Sequence, residues 1–406
     1  MAFEKSYVPY GGYWSTPFVK WQGKFAALHP LKFAAEVARR ALQERELVPE
    51  SLTALYLGTT VPSRHSFYGA PWLAGMIGAP DITGSTFSQA CATSARVVAS
   101  AAQAVEVDGD GLPGAEPTAI LCLTADRTSN GPHLLYPNPL SPGGRGEAED
   151  WVWDNFQHDP HASVSMIETA ENVARDHGFS TAAQHQVVLM RHAQYQQALA
   201  EDAAFQRRYL VSPIEIGSGG HKVSGVVAGD EGIFPTTADG LAKLKPVLPE
   251  GTVTFGGQTY PADGNAGLIV TTRAKARALS NDPSVEIRLL AFAEGRARPG
   301  YMPEANEPAV RRVLQLAGIS LQDVAAIKTH NPFAVNDLAL SKALGIPLEA
   351  MNNYGCSLIW GHPQGPTGMR LLIELIEELA IQGGGYGLFT GCAAGDTAAA
   401  IVVRVG

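Results

Sequence analysis

Apolar, β-branched runs alternate along this chain with stretches of helical periodicity, and that alternation constrains the fold more than any other feature. Ala54 to Val61, Ala119 to Ala125, Ala266 to Thr272, Val285 to Ala293, Ala325 to Thr329, Gly385 to Thr390 and Ala398 to Val405 read as buried strands. Between them, Lys32 to Leu47, Ala92 to Val107, Ala305 to Leu316, a segment from Ala334, and Thr367 to Ile381 read as helices. The prediction is an α/β protein whose helices cover buried strands.

From about Thr128 to Leu248 the texture changes to Pro-, Gly- and Asp-rich loops, notably Pro137 to Glu149, and to polar helices at Thr169 to His177 and Thr181 to Leu199. That stretch reads as an insertion. The expected organisation is a first α/β part (1–127), a loop or lid domain (128–248), a return to the first part (249–274) and a second, similar part (275–406). No short tandem repeat is present, so any duplication of the two parts exists at the level of the fold.

With 406 residues and 45% apolar content, the chain can bury a large core. Its 30 Lys+Arg against 39 Asp+Glu, with no basic block, argue against nucleic acid as a partner. No run of about 18 apolar residues occurs, which argues against a membrane span. Met1 to Pro17 lacks the order of a secretory signal, so a cytoplasmic protein is expected. Four cysteines (Cys91, Cys122, Cys356, Cys392), none in a C-x-x-C pair, argue against a disulfide framework and a structural zinc site. Any functional cysteine is expected to act as a free thiol. His158-Asp-Pro-His161 lacks ligand partners at metal spacing, His185 and His192 share a polar helix face expected to flank solvent, and Gly217-Ser-Gly-Gly-His-Lys lacks the spacing of a phosphate loop. No metal is expected.

Ser85-Thr-Phe-Ser-Gln-Ala-Cys91-Ala-Thr-Ser-Ala-Arg reads as a short strand turning directly into a helix, with Cys91 at or beside the helix N-terminus. The positive helix end and its free N–H groups would lower the thiol pKa and favour nucleophilic attack. A buried structural cysteine is the alternative that position alone leaves open. Cys122, inside Ile120-Leu-Cys-Leu, reads as core.

Three further segments carry matching chemistry. Lys328-Thr-His330-Asn-Pro-Phe-Ala-Val-Asn places His330 near the C-terminal end of a strand, where open α/β sheets bind ligands. Gly361-His362-Pro-Gln-Gly-Pro-Thr-Gly368 fixes an irregular loop before a helix, and an imidazole held there can act as base toward a thiol. Thr390-Gly-Cys392-Ala-Ala-Gly395-Asp ends a strand in a small-residue loop whose N–H groups can face an oxyanion, and its thiol can serve as acid or base at a substrate carbon. Each has a structural alternative: a hydrogen-bonded histidine, an incidental turn, or a disulfide between Cys91 and Cys392.

Taken in order and over nearly the whole chain, these segments resemble the thiolase family. Gln89-Ala-Cys91-Ala-Thr-Ser resembles its nucleophile segment; His330-Asn-Pro-Phe-Ala stands where the family has His or Asn followed by Glu-Ala-Phe; Gly361-His362-Pro and Cys392-Ala-Ala-Gly stand at its last two catalytic motifs. Met166-Ile-Glu-Thr-Ala-Glu-Asn172 and Leu241-Ala-Lys-Leu-Lys-Pro246 resemble its loop domain. The resemblance implies a thiolase-like fold, two βαβαβαββ halves in five α-β-α-β-α layers, around a homodimeric core. It implies that His362 deprotonates Cys91, which takes the acyl group of a 3-ketoacyl-CoA. Cys392 then protonates the departing enolate, His330 through a water and His362 together hold its thioester oxygen, and the N–H groups of Cys91 and Ala394 hold the acyl carbonyl. Coenzyme A is a substrate, and no bound cofactor is implied.

Some positions depart from the family pattern: Asn331-Pro332 replaces the usual Glu, and Ala394 a glycine. In Thr254-Phe-Gly-Gly-Gln-Thr-Tyr260-Pro-Ala-Asp263-Gly, Thr259 can stand for a family serine beside coenzyme A, and Tyr260 adds bulk; Met166 belongs to the same wall, and Trp151, Trp153 and Phe156 add aromatic surface. These features resemble the thiolases that work with a small, separate zinc-ribbon and OB-fold partner, in particular those that cleave benzoylsuccinyl-CoA to benzoyl-CoA and succinyl-CoA. The alternatives are a short-chain acetyl-CoA C-acetyltransferase, a decarboxylating ketoacyl synthase, which does not need Cys392, and a non-catalytic scaffold subunit, which does not need Cys91, His362 or Cys392.

Overall fold

The alternation of strands and helices resolves into one order of elements used twice. The structure, a computed structural model, describes residues 1–109, 117–129, 131–217 and 224–406; most of the glycine-rich stretch after Gly217 lies outside them. In chain order, β1 (Tyr13–Ser15) leads through α1 (Pro30–Glu44) to β2 (Ala54–Gly58), α2 (Gly69–Ile77), β3 (Thr86–Phe87), α3 (Thr93–Asp108) and β4 (Ala119–Arg127). An intervening segment carries α4 (Met166–His177) and α5 (Thr181–Ala198) before β5 (Ala262–Thr271). Then β6 (Ile287–Arg296) leads through α6 (Asn306–Ala317) to β7 (Val324–His330), α7 (Ala334–Leu344), α8 (Gly365–Ile381), β8 (Gly385–Ala393) and β9 (Thr397–Val405).

In the first half β2 and β4 are parallel, while β4–β5 and β5–β1 are antiparallel. The second half repeats this with β7–β8 parallel and β8–β9 and β9–β6 antiparallel. The two-residue strand Tyr7–Val8 bridges β5 and β6 and joins the halves into one mixed sheet.

Side-chain alternation along each strand builds the layers. Leu121 and Leu123 of β4 face α1 and α2, packing on Val37, Ala38 and Leu73. Ile120 and Cys122 face the opposite way, toward Val97 and Ala101 of α3 and Leu372 and Ile376 of α8. Phe389, Ile401 and Val403 of the second half close on that same helix pair, while Leu388 and Val402 turn outward to Val310 and Val313 of α6. The order is therefore helices, sheet, the α3–α8 pair, sheet, helices. Each fully buried Leu, Val or Ile here contributes roughly 1.5–3 kcal/mol relative to exposure.

Two local readings change. The Pro137–Glu149 loop is framed by an antiparallel hairpin of His133–Tyr136 with Glu147–Asp150, because backbone pairing prevails over a loop-like composition. Helix α4 begins three residues earlier than its periodicity suggested, since Ser165 and Glu168 form a reciprocal capping box. Among the described residues no helix is long and apolar enough to cross a membrane.

Candidate active site at the ends of β7 and β8

Cys91 sits in the turn between β3 and α3, two residues ahead of the first helical residue. Ala90 adopts φ +43°, a left-handed conformation costing a non-glycine residue roughly 1–2 kcal/mol. The turn is held by the Gln89 N–H donating to Thr93 Oγ1 at 2.8 Å and the Thr93 hydroxyl donating to the Ala90 carbonyl at 2.7 Å. Such strain gathers at sites where a side chain must be aimed.

His362 Nε2 lies 3.1 Å from Cys91 Sγ, and its Nδ1 lies 2.6 Å from Thr367 Oγ1. For the thiol to donate to Nε2, the ring proton must be on Nδ1 and point at Thr367. The loop is set by Gly361 (φ +94°) and Gln364 (φ +58°) and clamped by Asp126, whose carboxylate accepts the N–H groups of Thr60, Val61 and Gly365 at 2.8–3.0 Å. Burial pushes that carboxyl up to about 6, against the pull of those donors.

His330 is the last residue of β7 and pairs in register with Gly391 of β8, one residue before Cys392. A Cβ on Gly391 would lie 2.9 Å from His330 Cβ, so the close approach requires glycine. The rings of His330 and His362 stack with centroids 4.1 Å apart. Cys91 Sγ and one ring nitrogen of each histidine lie within 4.8 Å of one another, a trio that could geometrically hold a metal ion. Cys392 is fully buried behind them; Asn336 Nδ2 donates to its Sγ at 3.2 Å. The Ala394 N–H points at Cys91 Sγ. All four cysteines are free thiols.

Residues 258–262 bind both histidine loops. The Thr259 N–H donates to the Pro332 carbonyl at 2.7 Å, and the His362 N–H to the Tyr260 carbonyl at 2.9 Å. Thr259 Oγ1 donates to the Ser357 carbonyl at 2.5 Å and Tyr260 Oη to that of Ile359 at 3.2 Å. Thr259, Tyr260 and Met166 all line a cavity of about 1400 Å³ with Cys91, His362 and Ala394 on its wall. Trp151, Trp153, Phe156, Phe234, Phe255 and Phe333 supply aromatic surface to it. His330 and Cys392 are buried beside that wall rather than exposed on it.

Two expectations are corrected. The Cys91 thiol is not lowered: burial pushes it up to about 12, only partly opposed by the Ala394 N–H and its own. The helix end is two residues away, and desolvation wins. Burial likewise brings His362 down to about 3, and holds His330 well below the usual histidine range with help from His362. Cys392 is raised by burial and by the nearby Cys91. The resting pair is thus a neutral thiol hydrogen-bonded to a neutral imidazole. His185 and His192 do not flank solvent: His185 is buried, 2.9 Å from Thr254 Oγ1, and His192 lines the cavity, because α5 is covered on that face by the segment before β5. His158 and His161 are exposed residues of the cavity mouth, and no metal-ligand group among the described residues includes them. Sequence reasoning missed Ser357, Thr367, Asn336 and Asp126. Thr367 and Asn336 lie inside segments already singled out, five residues after His362 and six after His330.

Residues 13–274 match the family model described as Thiolase, N-terminal domain, and residues 284–405 match Thiolase, C-terminal domain. The 3-ketoacyl-CoA thiolase of Bacillus subtilis (strain 168) is 35% identical over 254 residues, 61% of this chain and 64% of that protein. The acetyl-CoA acetyltransferase of Escherichia coli (strain K12) is 28% identical over 405 residues, 96% of each. The crystal structure of human mitochondrial 3-ketoacyl-CoA thiolase in complex with CoA superposes with a TM-score of 0.88 at 24% identity, covering 100% of this chain and 99% of that one, which speaks for the fold. With the two family models spanning nearly its whole length, this chain belongs to the thiolase family and is an acyltransferase.

Proposed function

We propose that the chain cleaves a 3-ketoacyl-CoA with coenzyme A, or runs the reverse Claisen condensation, through an acyl group on Cys91. The observation that carries this reading is the 3.1 Å contact of Cys91 Sγ with His362 Nε2 on the wall of a cavity large enough for an acyl-CoA, with a second thiol buried next to it. Because both partners rest neutral, the Cys91 proton moves to His362 as sulfur attacks the 3-keto carbon. The N–H groups of Cys91 and Ala394 take the oxyanion. When that oxyanion collapses, the C2–C3 bond breaks, its electrons form the enolate of the shorter acyl-CoA, and Cys392 supplies a proton to C2. His330 and His362 hold the enolate oxygen. Coenzyme A then takes the acyl group from Cys91, forming one thioester as the other breaks.

The aromatic wall supports an aroyl-substituted substrate, benzoylsuccinyl-CoA being the type, over a short acetoacetyl chain. Met166, Thr259 and Tyr260 belong to the acyl-CoA wall in this reading. It also includes a cytoplasmic location, a homodimeric core, residues 128–248 as a lid, and a separate zinc-ribbon and OB-fold subunit, since the chain has no C-x-x-C pairs of its own. Mass spectrometry of the chain mixed with acyl-CoAs tests the central step: an acyl adduct on Cys91, absent in Cys91→Ala, is expected. In a substrate panel the aroyl compound should exceed acetoacetyl-CoA in kcat/KM by roughly tenfold or more. The reverse ranking would favour a short-chain acetyltransferase, no adduct with any acyl-CoA a scaffold.

A further inference from the structure

His330 is fully buried, its Nδ1 2.8 Å from Ser357 Oγ, and its Nε2 has no hydrogen-bond partner among the described residues. A neutral imidazole carries one proton, so its position decides whether Nε2 is a donor or an acceptor. Ser357 makes that choice. Its oxygen accepts the Asn331 backbone N–H at 3.2 Å, and its own proton can go to His330 Nδ1 at 2.8 Å or to Asn331 Oδ1 at 3.2 Å. Asn331 Oδ1 already accepts the Leu358 N–H at 3.2 Å. Nor can that amide turn over, because its Nδ2 donates to Asp337 at 2.7 Å and to Cys356 Sγ at 3.3 Å. Asp337 is anchored in turn by Arg191 at 2.9 Å and by the Thr329 hydroxyl at 2.9 Å. The shorter contact, to an acceptor with no other donor, takes the proton.

Stacking favours the same answer. His362 needs its proton on Nδ1 to accept from Cys91, and its ring lies 4.1 Å from that of His330 at 29°. Two such rings with the same tautomer, each turning a nitrogen toward Cys91, would set their dipoles side by side; opposite tautomers oppose them.

We propose that Ser357 is a positioning residue: its hydroxyl donates to His330 Nδ1 and holds that ring as the Nε2–H tautomer, placing a donor beside the His362 acceptor for the thioester enolate oxygen. The tautomer stands on geometry alone; its kinetic consequence rests on the thiolase chemistry above. One imidazole then removes a proton while its neighbour donates to an oxyanion, a division of labour set by the hydroxyls of Thr367 and Ser357.

The test is ¹⁵N NMR of histidine-labelled protein, with the His330 signals assigned by comparison with His330→Gln. In the wild-type chain the proton should be on Nε2 and a hydrogen-bonded, unprotonated nitrogen at Nδ1. A proton on Nδ1 overturns the proposal without any variant. In Ser357→Ala the Nδ1 signal should move to that of a free acceptor. Carbon–carbon cleavage should slow about 10- to 100-fold with KM unchanged, as for loss of a partner that orients a reacting imidazole. Exchange of labelled coenzyme A into acyl-CoA, which needs only Cys91 and His362, should keep its rate, and Ser357→Thr should restore cleavage. Equal loss of cleavage and exchange, or no loss of cleavage, overturns the proposal. Absence of exchange in the wild-type chain instead overturns the proposed function and leaves the tautomer measurement to decide this one.

Discussion

At the scale of single residues, the chemistry of Cys91 is governed by what surrounds it more than by the helix that follows it. Desolvation favours the thiol over the thiolate, with a pKa pushed up to about 12. Alkylation of Cys91 by iodoacetamide should therefore keep accelerating with pH throughout the range in which the chain stays folded; a plateau near the ordinary thiol value of 9 would refute a desolvated, neutral nucleophile. His362 gives the complementary effect on stability. Its pKa falls from 6.5 unfolded to about 3 folded, so its contribution is present above pH 6.5 and lost as pH falls toward about 3. Denaturant titrations across that window should show a shallower acid limb in His362→Gln than in the wild-type chain. Cys91, His330, His362 and Cys392 were legible because each stood in an unusual local pattern. Ser357 and Thr367 were not, because a serine and a threonine become informative only when a ring nitrogen is found 2.8 or 2.6 Å away.

At the scale of elements, the start of α8 decides where His362 can be. Ser94 of α3 donates to the Gly365 carbonyl, and the Gly365 N–H donates to Asp126 Oδ2 at 2.9 Å, so the two central helices and β4 meet at this residue. A Cβ on Gly365 would lie 2.6 Å from Asp126 Oδ2. That carboxylate is held by Thr60 and Val61 and has little room to give. Gly365→Ala should destabilise the chain by about 1–3 kcal/mol, read as a lower Tm, and reduce activity by moving the His362 loop. An unchanged Tm would mean the clamp is softer than its geometry implies. Most strands and helices were readable from periodicity, though α2 and β1 were not, and ends moved by one to four residues where a cap or a pairing partner decided them. The hairpin around residues 133–150 was hidden because its strands are short and exposed, with no buried face to impose a period.

At the scale of the whole molecule, charged contacts tie the segment between β4 and β5 to helices α7 and α8. Arg370 of α8 is fully buried and binds Asp230 through both terminal guanidinium nitrogens at 2.6 and 2.8 Å, and Glu374 through Nε at 3.0 Å. Removing one partner of such a pair strands the other charge. Asp230→Ala should cost about 3–5 kcal/mol in denaturant unfolding. A small loss would show that water reaches Arg370 once Asp230 is gone. Arg191 of α5 makes a second tie through Asp337 at the start of α7, six residues beyond Asn331. Residues distant in sequence, polar and unremarkable in a one-dimensional reading, thus fix the intervening segment against the rest of the chain.

The sequence by itself determined the class of fold, most of its strands and helices and, through the resemblance, the family, and it singled out Cys91, His330, His362 and Cys392 as candidates for thiol and imidazole chemistry. These depend on local pattern: period, turn residues, and rare residue types in constrained loops. Only the tertiary structure decided the protonation of those groups, the partners that orient the two imidazoles, and the cavity they share. Each of these depends on water being excluded and on atoms hundreds of residues apart coming within hydrogen-bond reach, and neither is a property of any short stretch of chain.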